Sequence, residues 1–257
     1  MRKIFIAILT AVSLNAGLVD AKVGAGVWLV QSTGEIVYKG DPLDFEDHLG
    51  MDGTLASYAY VDFYHFIPVL PNLRIDVTQF GEDADNNIPY GVQKEFADRN
   101  LTGQVKSNLN LNQFDIIAYY NLIGTILHAD VGVGVKYYQG SIDVDAKDGS
   151  NYIKNDSIDI DFALPILYGK IGATLPGTNI SAYVDAKYFK FTDIEVVDMS
   201  AKVQMTPLDI FVFDVNIEAG YRVHRLQVLA QDSSISGFDA DIKTEISGFF
   251  GGINIEF

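Results

Sequence analysis

The chain has 257 residues, and its 34 acidic against 18 basic side chains give a formal charge of -16, which leaves no basic footprint for nucleic acid. It has no cysteine, so disulfides, thiolate catalysis and Cys-ligated metal centres are excluded. With 48% hydrophobic and 20% charged residues it is too apolar for a disordered acidic segment, and it must fold or insert.

The chain opens with the cationic Arg2 and Lys3, continues with an apolar run over 4–14, and reaches the small residue Ala21 after Val19 and Asp20. That layout predicts a secretory signal peptide over residues 1–21, cleaved after Ala21, and one domain over 22–257. The run is too short for a membrane helix, and no later stretch offers 18 consecutive apolar residues. An exported chain of this kind is either soluble outside the cytoplasm or a closed transmembrane β-barrel.

Period-two alternation selects the barrel. Strands are expected near 23–31, 53–64, 72–80, 102–121, 128–146, 156–174, 180–192, 195–205, 211–229 and 240–257. In the sixth, Ile158, Ile160, Phe162, Leu164, Ile166 and Tyr168 form an apolar row against Asp159 and Asp161. In the ninth, Phe211, Phe213, Val215, Ile217, Ala219, Tyr221 and Val223 oppose Asp214, Glu218 and Arg222. Such rows exceed the 5–6 residues of an ordinary strand and match the ~9–11 needed to cross a bilayer at a tilt. In the fourth, Leu109 and Leu111 fall out of phase with Ile116 and Ala118, which suggests a β-bulge at 112–114.

The fold class expected is all-β, an antiparallel up-and-down transmembrane barrel of about ten strands, eight or twelve being the alternatives. The even count puts both termini in the periplasm. The longer connections at 32–52, 81–101, 147–155 and 230–239 would face outward, with shorter turns such as Pro176-Gly177-Thr178-Asn179 inward. Tyr120, Tyr168, Phe211 and Phe257 would form the periplasmic aromatic girdle, and Tyr137, Tyr188 and Tyr221 the outer one.

The final residues, Gly248 to Phe257, alternate apolar positions Phe249, Ile253 and Ile255 up to a terminal Phe257. They resemble the assembly signal of bacterial outer-membrane proteins. With Tyr119-Tyr120-Asn121, Asp130-Val131-Gly132-Val133-Gly134 and Ala219-Gly220-Tyr221-Arg222, the chain looks like the small, largely uncharacterised outer-membrane β-barrel family of Gram-negative bacteria. The resemblance implies the bacterial outer membrane as location. It implies lipid, lipopolysaccharide and the barrel-assembly machinery as partners, and it transfers no catalytic residue. A monomer is expected.

With the apolar rows facing lipid, Asp62, Arg74, Asp76, Asp115, Asp130, Lys136, Asp159, Asp161, Asp185, Lys187, Lys202, Asp214, Glu218 and Arg222 are expected to point into the lumen. Ten strands enclose too little space for a wide channel, so these charges pair and plug it; any residual passage would admit very small solutes and prefer cations. The expected function is non-enzymatic, structural or a narrow passage. A rim hydrolase of protease or lipase type and a soluble periplasmic ligand-binding barrel are the rivals. Ten-stranded outer-membrane proteases carry paired aspartates and an Asp–His couple at the outer rim. Here only His224 of the four histidines lies on a strand leading outward, between Arg222 and Arg225 and without an Asp-x-His. The acidic groups Asp41, Asp44, Glu46 and Asp47, and Asp143, Asp145 and Asp148, read as solvated loops rather than calcium sites. No cofactor or metal is expected.

Overall fold

The computed structural model describes residues 19–257 apart from 66, 68, 90–93, 102, 125, 149–150, 211 and 230–239, with backbone alone at 19, 99–100, 146–148 and 151–156. The expected leader is therefore outside the described residues except for its last three, and so is Phe211. The strands are β1 (Val19–Val37), β2 (Leu43–Asp44), β3 (Thr54–His65), β4 (Asn72–Ile88), β5 (Lys94–Phe96), β6 (Arg99–Leu101), β7 (Gly103–Gly124), β8 (Leu127–Asp148), β9 (Asn151–Thr174), β10 (Ile180–Phe191), β11 (Ile194–Ile210), β12 (Phe213–Val228) and β13 (Asp241–Glu256).

All but β2, β5 and β6 pair antiparallel in sequence order, and β13 closes on β1 from Lys22↔Glu256 to Val37↔Asp241, giving a ten-stranded barrel. Closure pairs each long strand with a neighbour on both sides over its membrane-crossing part, which is what a strand architecture needs to enter lipid, while the outer parts of β9 beyond Leu167 and of β4 beyond Gln79 are paired on one side. The short β2 adds to the outer end of β1, and β5 with β6 forms a separate hairpin.

The strands are far longer than a bilayer requires. β9 has 24 residues, about 80 Å of extended chain, against the ~9–11 needed to span. The loop expected at 81–101 is correspondingly shorter, because β4 continues to Ile88, and β1 runs on to Val37.

The surplus length explains the phase slip, and the bulge expected at 112–114 is not there. Register runs unbroken from Val105↔Ala146 to Asn121↔Asp130, the only irregularity on this pair lying between Asn121 and Ile123. Leu109, Leu111, Gln113, Asp115, Ile117 and Tyr119 all point inward and are buried. What changes along β7 is the solvent outside it. In the bilayer the outer face is apolar, as with Ile116 at 57% exposure, and the inner face carries the charges. Above the bilayer the outside is water and the inside becomes an oil-like core, so Leu109 and Leu111 turn in while Asn110 and Asn112 turn out.

The same inversion corrects the sixth expected strand. Ile158, Ile160, Phe162, Leu164, Ile166 and Tyr168 are all buried inside the barrel, and Asp159 and Asp161 face out. Tyr168 is therefore an interior residue and no part of the periplasmic girdle. On the same strand the lipid contacts come from the other parity, with Leu167 and Ile171 more than 60% exposed. Pairing of β9 with β10 ends at Leu167↔Tyr188, so Pro165, which has no N–H to donate, sits just beyond the last residue that needs one on that side.

The outer half thus closes like a soluble barrel around Ile36, Phe80, Ile142, Ile160, Val196 and Ile242. Segment 41–53 is folded into it: Leu43, Phe45, Leu49 and Met51 are each at most 2% exposed. Each such side chain contributes about 1.5–3 kcal/mol relative to leaving it in water. The Asp44 carboxylate fixes the turn by accepting from the Glu46 and Asp47 N–H groups at 2.9 and 2.8 Å. The β5–β6 hairpin caps the same end through Asp41 N–H to Glu95 C=O and Ala97 N–H to Tyr38 C=O, with Phe96 and Leu101 buried.

In the membrane half, inward glycines on one strand make room for aromatic rings from the next. A Cβ at Gly132 would lie 2.6 Å from the Tyr119 Cβ and 2.5 Å from the Ala118 carbonyl oxygen, and one at Gly24 would lie 2.4 Å from the Tyr60 ring. Gly132→Ala is expected to cost about 1–3 kcal/mol in urea unfolding, because backbone as well as side chain must move. An unchanged midpoint would show that this close approach is not present.

Candidate functional site

The lumen holds the only concentration of buried charge among the described residues. It is built by alternation, because every second residue of the membrane-crossing segments faces the axis. Asp62 on β3 bonds Arg74 on β4 at 2.8 Å, and Arg74 also holds Asp76 at 2.8 Å. Lys187 reaches across from β10 to Asp76 at 2.7 Å and to Asp115 on β7 at 2.5 Å. Lys136 on β8 joins Asp115 at 2.9 Å to Asp198 on β11 at 3.0 Å, and Arg222 on β12 takes Asp198 at 2.7 Å. Asp62, Arg74, Asp76, Lys187, Asp115, Lys136, Asp198 and Arg222 therefore form one alternating chain in which each charge touches its opposite. Buried ions are tolerable on that condition.

A second group sits on the same wall. Glu218 accepts from Lys202 at 2.7 Å, Tyr58 at 2.9 Å and Tyr60 at 3.0 Å. The Arg74 guanidinium lies 4.4 Å from the Tyr60 ring centre and that of Arg222 lies 4.8 Å from Trp28, so the aromatic faces cover the cations. Nearer the periplasm Asp130 binds Lys170 at 3.0 Å and Asn121 at 2.6 Å, and Lys22 meets Glu256 at 2.9 Å. Asp185 accepts from Ser200, and Asp214 lies at the periplasmic mouth opposite Asp209 and Glu256.

Of the fourteen residues expected in the lumen, Asp62, Arg74, Asp76, Asp115, Lys136, Lys187 and Arg222 are joined in the central chain and Lys202 with Glu218 beside it. Asp130, Asp185 and Asp214 stand separately. Asp159 and Asp161 are on the outer wall above the bilayer, where water rather than lipid makes the charged face the external one. Asp198, Lys170 and the Tyr58–Tyr60 pair were not singled out in the sequence. Asp198 shares the parity of Lys202 on β11. Lys170 shares that of Tyr168, and a lysine in an apolar row meant for lipid was the signal that this row faces inward.

Two spaces remain between these side chains. One, about 60 Å³, is lined by Trp28, Tyr60, Arg74, Lys187, Glu218 and Arg222; the other, about 20 Å³, lies below it beside Tyr64 and Lys170. Volumes of this size suit a few water molecules and are too small for a solute of metabolite size.

His224 is fully buried at the junction of the charged and apolar halves, opposite Asp198 in register. Its Nδ1 is 3.7 Å from Asp198, beyond hydrogen-bond range, and its Nε2 is 3.4 Å from the Tyr138 hydroxyl. Register thus brings an aspartate and a histidine side by side across strands without a hydrogen bond between them, beneath the capped end of the barrel. At the periplasmic mouth His128 Nε2 is 3.0 Å from the Thr174 hydroxyl, itself 2.9 Å from Ser181 Oγ. A relay through threonine leaves Ser181 without a base in direct contact.

Outside, Val27, Leu29, Ile116, Val133, Leu167, Val203, Phe249 and Ile253 form an exposed apolar wall. The aromatic residues Tyr120 and Phe257 lie toward the periplasmic end, and Tyr188 and Tyr221 toward the outer end. A closed barrel with an apolar wall and a polar axis is a transmembrane β-barrel of the bacterial outer-membrane class. Neither a family model nor a curated protein sequence matches the chain. Among solved structures it is similar to the outer membrane protease OmpT from Escherichia coli (10% identity, TM-score 0.49, 94% of this chain and 97% of that one). It is also similar to the transport unit of the autotransporter AIDA-I from Escherichia coli (10%, 0.38, 98% and 97%) and to the Pseudomonas putida toluene transporter TodX (6%, 0.33, 95% and 91%). Likenesses of this size carry nothing about what the chain does.

Proposed function

We propose that this protein is a sealed, non-enzymatic outer-membrane barrel whose role is structural and which passes no solute. The observation that carries the reading is Lys187 spanning the axis to Asp76 and Asp115, with the residual space in the lumen about 60 Å³. The inserted segment 41–53 and its apolar neighbours close the outer end in addition. Removal of residues 1–21 on export belongs to the same reading, and N-terminal sequencing of the membrane-extracted protein should begin at Lys22. So does recognition by the assembly machinery of Phe249, Ile253 and Ile255, on the outward row of β13, and of Phe257 just beyond its end.

In planar bilayers the refolded barrel is expected to give no discrete conductance steps at any salt concentration. Steady, cation-selective steps would establish a narrow passage instead. The rim-hydrolase reading finds no support in the burial of His224, and His224→Ala should leave any hydrolytic background unchanged.

A further inference from the structure

We propose that the outward face of β4, β7 and β8 above the bilayer is a saccharide-binding surface, its occupant being the uncharged oligosaccharide of a glycolipid in the outer leaflet. This rests on the outer-membrane reading of the barrel and holds whether or not the lumen is sealed.

The first observation is a set of residues that strands disfavour. Above Val77 the outward positions of β4 are Gln79, Gly81, Asp83, Asp85 and Asn87. Above Phe114 those of β7 are Asn112, Asn110, Asn108, Lys106 and Gln104. Register sets the two columns side by side, from Gln79↔Asn112 to Asn87↔Gln104, and places Gln139, Ser141 and Asp143 of β8 on the other flank of β7. Asn, Asp and Gly are among the residues that fit a pleated surface least. Above the apolar band on the opposite wall stand Thr33, Glu35, Glu195, Arg225, Lys243 and Glu245, longer or β-branched side chains of the usual water-facing kind. Departure from local preference on one wall alone marks a functional surface.

The second is hydrogen-bonding capacity. Gln79 Nε2 donates to Asn112 Oδ1 at 3.3 Å, Asn112 Nδ2 donates to Asn110 Oδ1 at 3.4 Å, and Asn108 Nδ2 donates to Asp83. The amides are thus aligned by their neighbours. In these bonds each uses at most one of its two N–H groups, which leaves donors and acceptors for a ligand. A sugar hydroxyl also both donates and accepts, so it matches a carboxamide. Where Asp85, Asn86, Asn87, Gln104 and Lys106 meet, the face opens into a hollow of about 520 Å³. At its foot Phe114 and Tyr137 are paired in register with ring centres 6.3 Å apart, an apolar platform for the C–H face of a sugar ring.

The third is shape, place and charge. From Gln79 to Asn87 the strand advances about 26 Å, or about 20 Å in height at a tilt near 40°. That exceeds the ~5–7 Å headgroup layer on one side of a bilayer, while three strands are only about 10 Å wide. These are the proportions of an extended sugar chain running up the wall. The face continues the lipid-facing row of the same strands, Val77 and Ile116, so a chain carried by a lipid beside them is already aligned with it. Among the described residues of this face the only cation is Lys106, 3.9 Å from Asp85, against Asp83, Asp85 and Asp143. That balance repels phosphate and acidic sugars and selects an uncharged saccharide.

The test uses the full-length protein refolded into phosphatidylethanolamine–phosphatidylglycerol vesicles, with flotation and heat-modifiable migration reporting insertion. The probe is a fluorescent polysaccharide of uncharged repeats, freed of its lipid. Vesicles with the protein should retain it and empty ones should not. Lipopolysaccharide bearing the same repeats, placed in the membrane, should displace it, and lipid A should not. Asn108→Thr, Asn110→Thr and Asn112→Thr together install better strand formers, so the urea midpoint should hold or rise while affinity falls about tenfold or more. Arg225→Gln with Lys243→Gln, on the opposite wall, should leave retention unchanged. Floating protein that retains no polysaccharide, or retention unaltered by the three threonine substitutions, overturns the proposal. Displacement by lipid A as effective as by lipopolysaccharide also overturns it, because acyl chains or phosphates would then be the ligand. Retention that membrane-borne lipopolysaccharide does not displace overturns the lipid-borne source. Failure to float overturns the outer-membrane reading itself, and this one with it.

Discussion

Lys187→Met is expected to destabilise the barrel by about 3–5 kcal/mol, the cost of breaking two buried ion pairs at once, although Asp76 keeps Arg74 and Asp115 keeps Lys136. Among the described residues the ammonium is the only group that bonds both Asp76 and Asp115 from the far wall, and it is buried with them. Methionine replaces its stem but none of its charge, so the loss reports the ion pairs rather than packing. Urea unfolding followed by the single tryptophan is a direct measurement, because Trp28 is buried at the head of the same network under Arg222. Adding Asp115→Asn should recover part of the loss, with a coupling of about 1–3 kcal/mol between the two sites. Independent, additive effects would mean that the two side chains are not in contact.

Adjacent residues on β9 should respond oppositely. Ile160→Asp places an unpaired charge in the outer apolar core, where Ile160 is 3% exposed, and is expected to cost more than about 4 kcal/mol or to prevent folding of that half. Asp159→Leu, on the external face, should change stability by less than about 0.5 kcal/mol and instead lower solubility in detergent. Limited proteolysis of the outer half, compared with heat-modifiable migration of the whole barrel, separates the two outcomes. If Asp159→Leu were the damaging change, the inside and outside of this segment would be reversed.

These two experiments mark where the sequence was and was not readable. Alternation fixes which residues share a face, and it located the ten long strands and the inward Asp62, Arg74, Asp115, Lys136, Lys187 and Arg222. It does not say which face is inside. In a membrane barrel of minimal length, apolar means outward, and that rule placed Ile158 to Tyr168 in lipid. The rule fails where a strand leaves the bilayer, because the medium outside changes from hydrocarbon to water while the pleat continues unbroken. The apparent phase slip on β7 was the trace of that boundary. Pairings between distant strands, such as Lys187 with Asp76 or His224 with Asp198, depend on barrel closure and register, and neither is written in any local stretch of residues.

The double-tier build also constrains how the molecule reaches its place. Arg225, Lys243 and Lys190 project from the outer wall above the apolar band, with Glu245, Glu35 and Glu195 beside them. If a finished barrel slid through the bilayer along its axis, these three cations alone would oppose transit by roughly 6–12 kcal/mol at the midplane. Threading before closure, one hairpin at a time and beside a thinned patch of bilayer, avoids that barrier. Biogenesis should therefore slow steeply as vesicle thickness increases, and more so than for a barrel whose strands end at the headgroups.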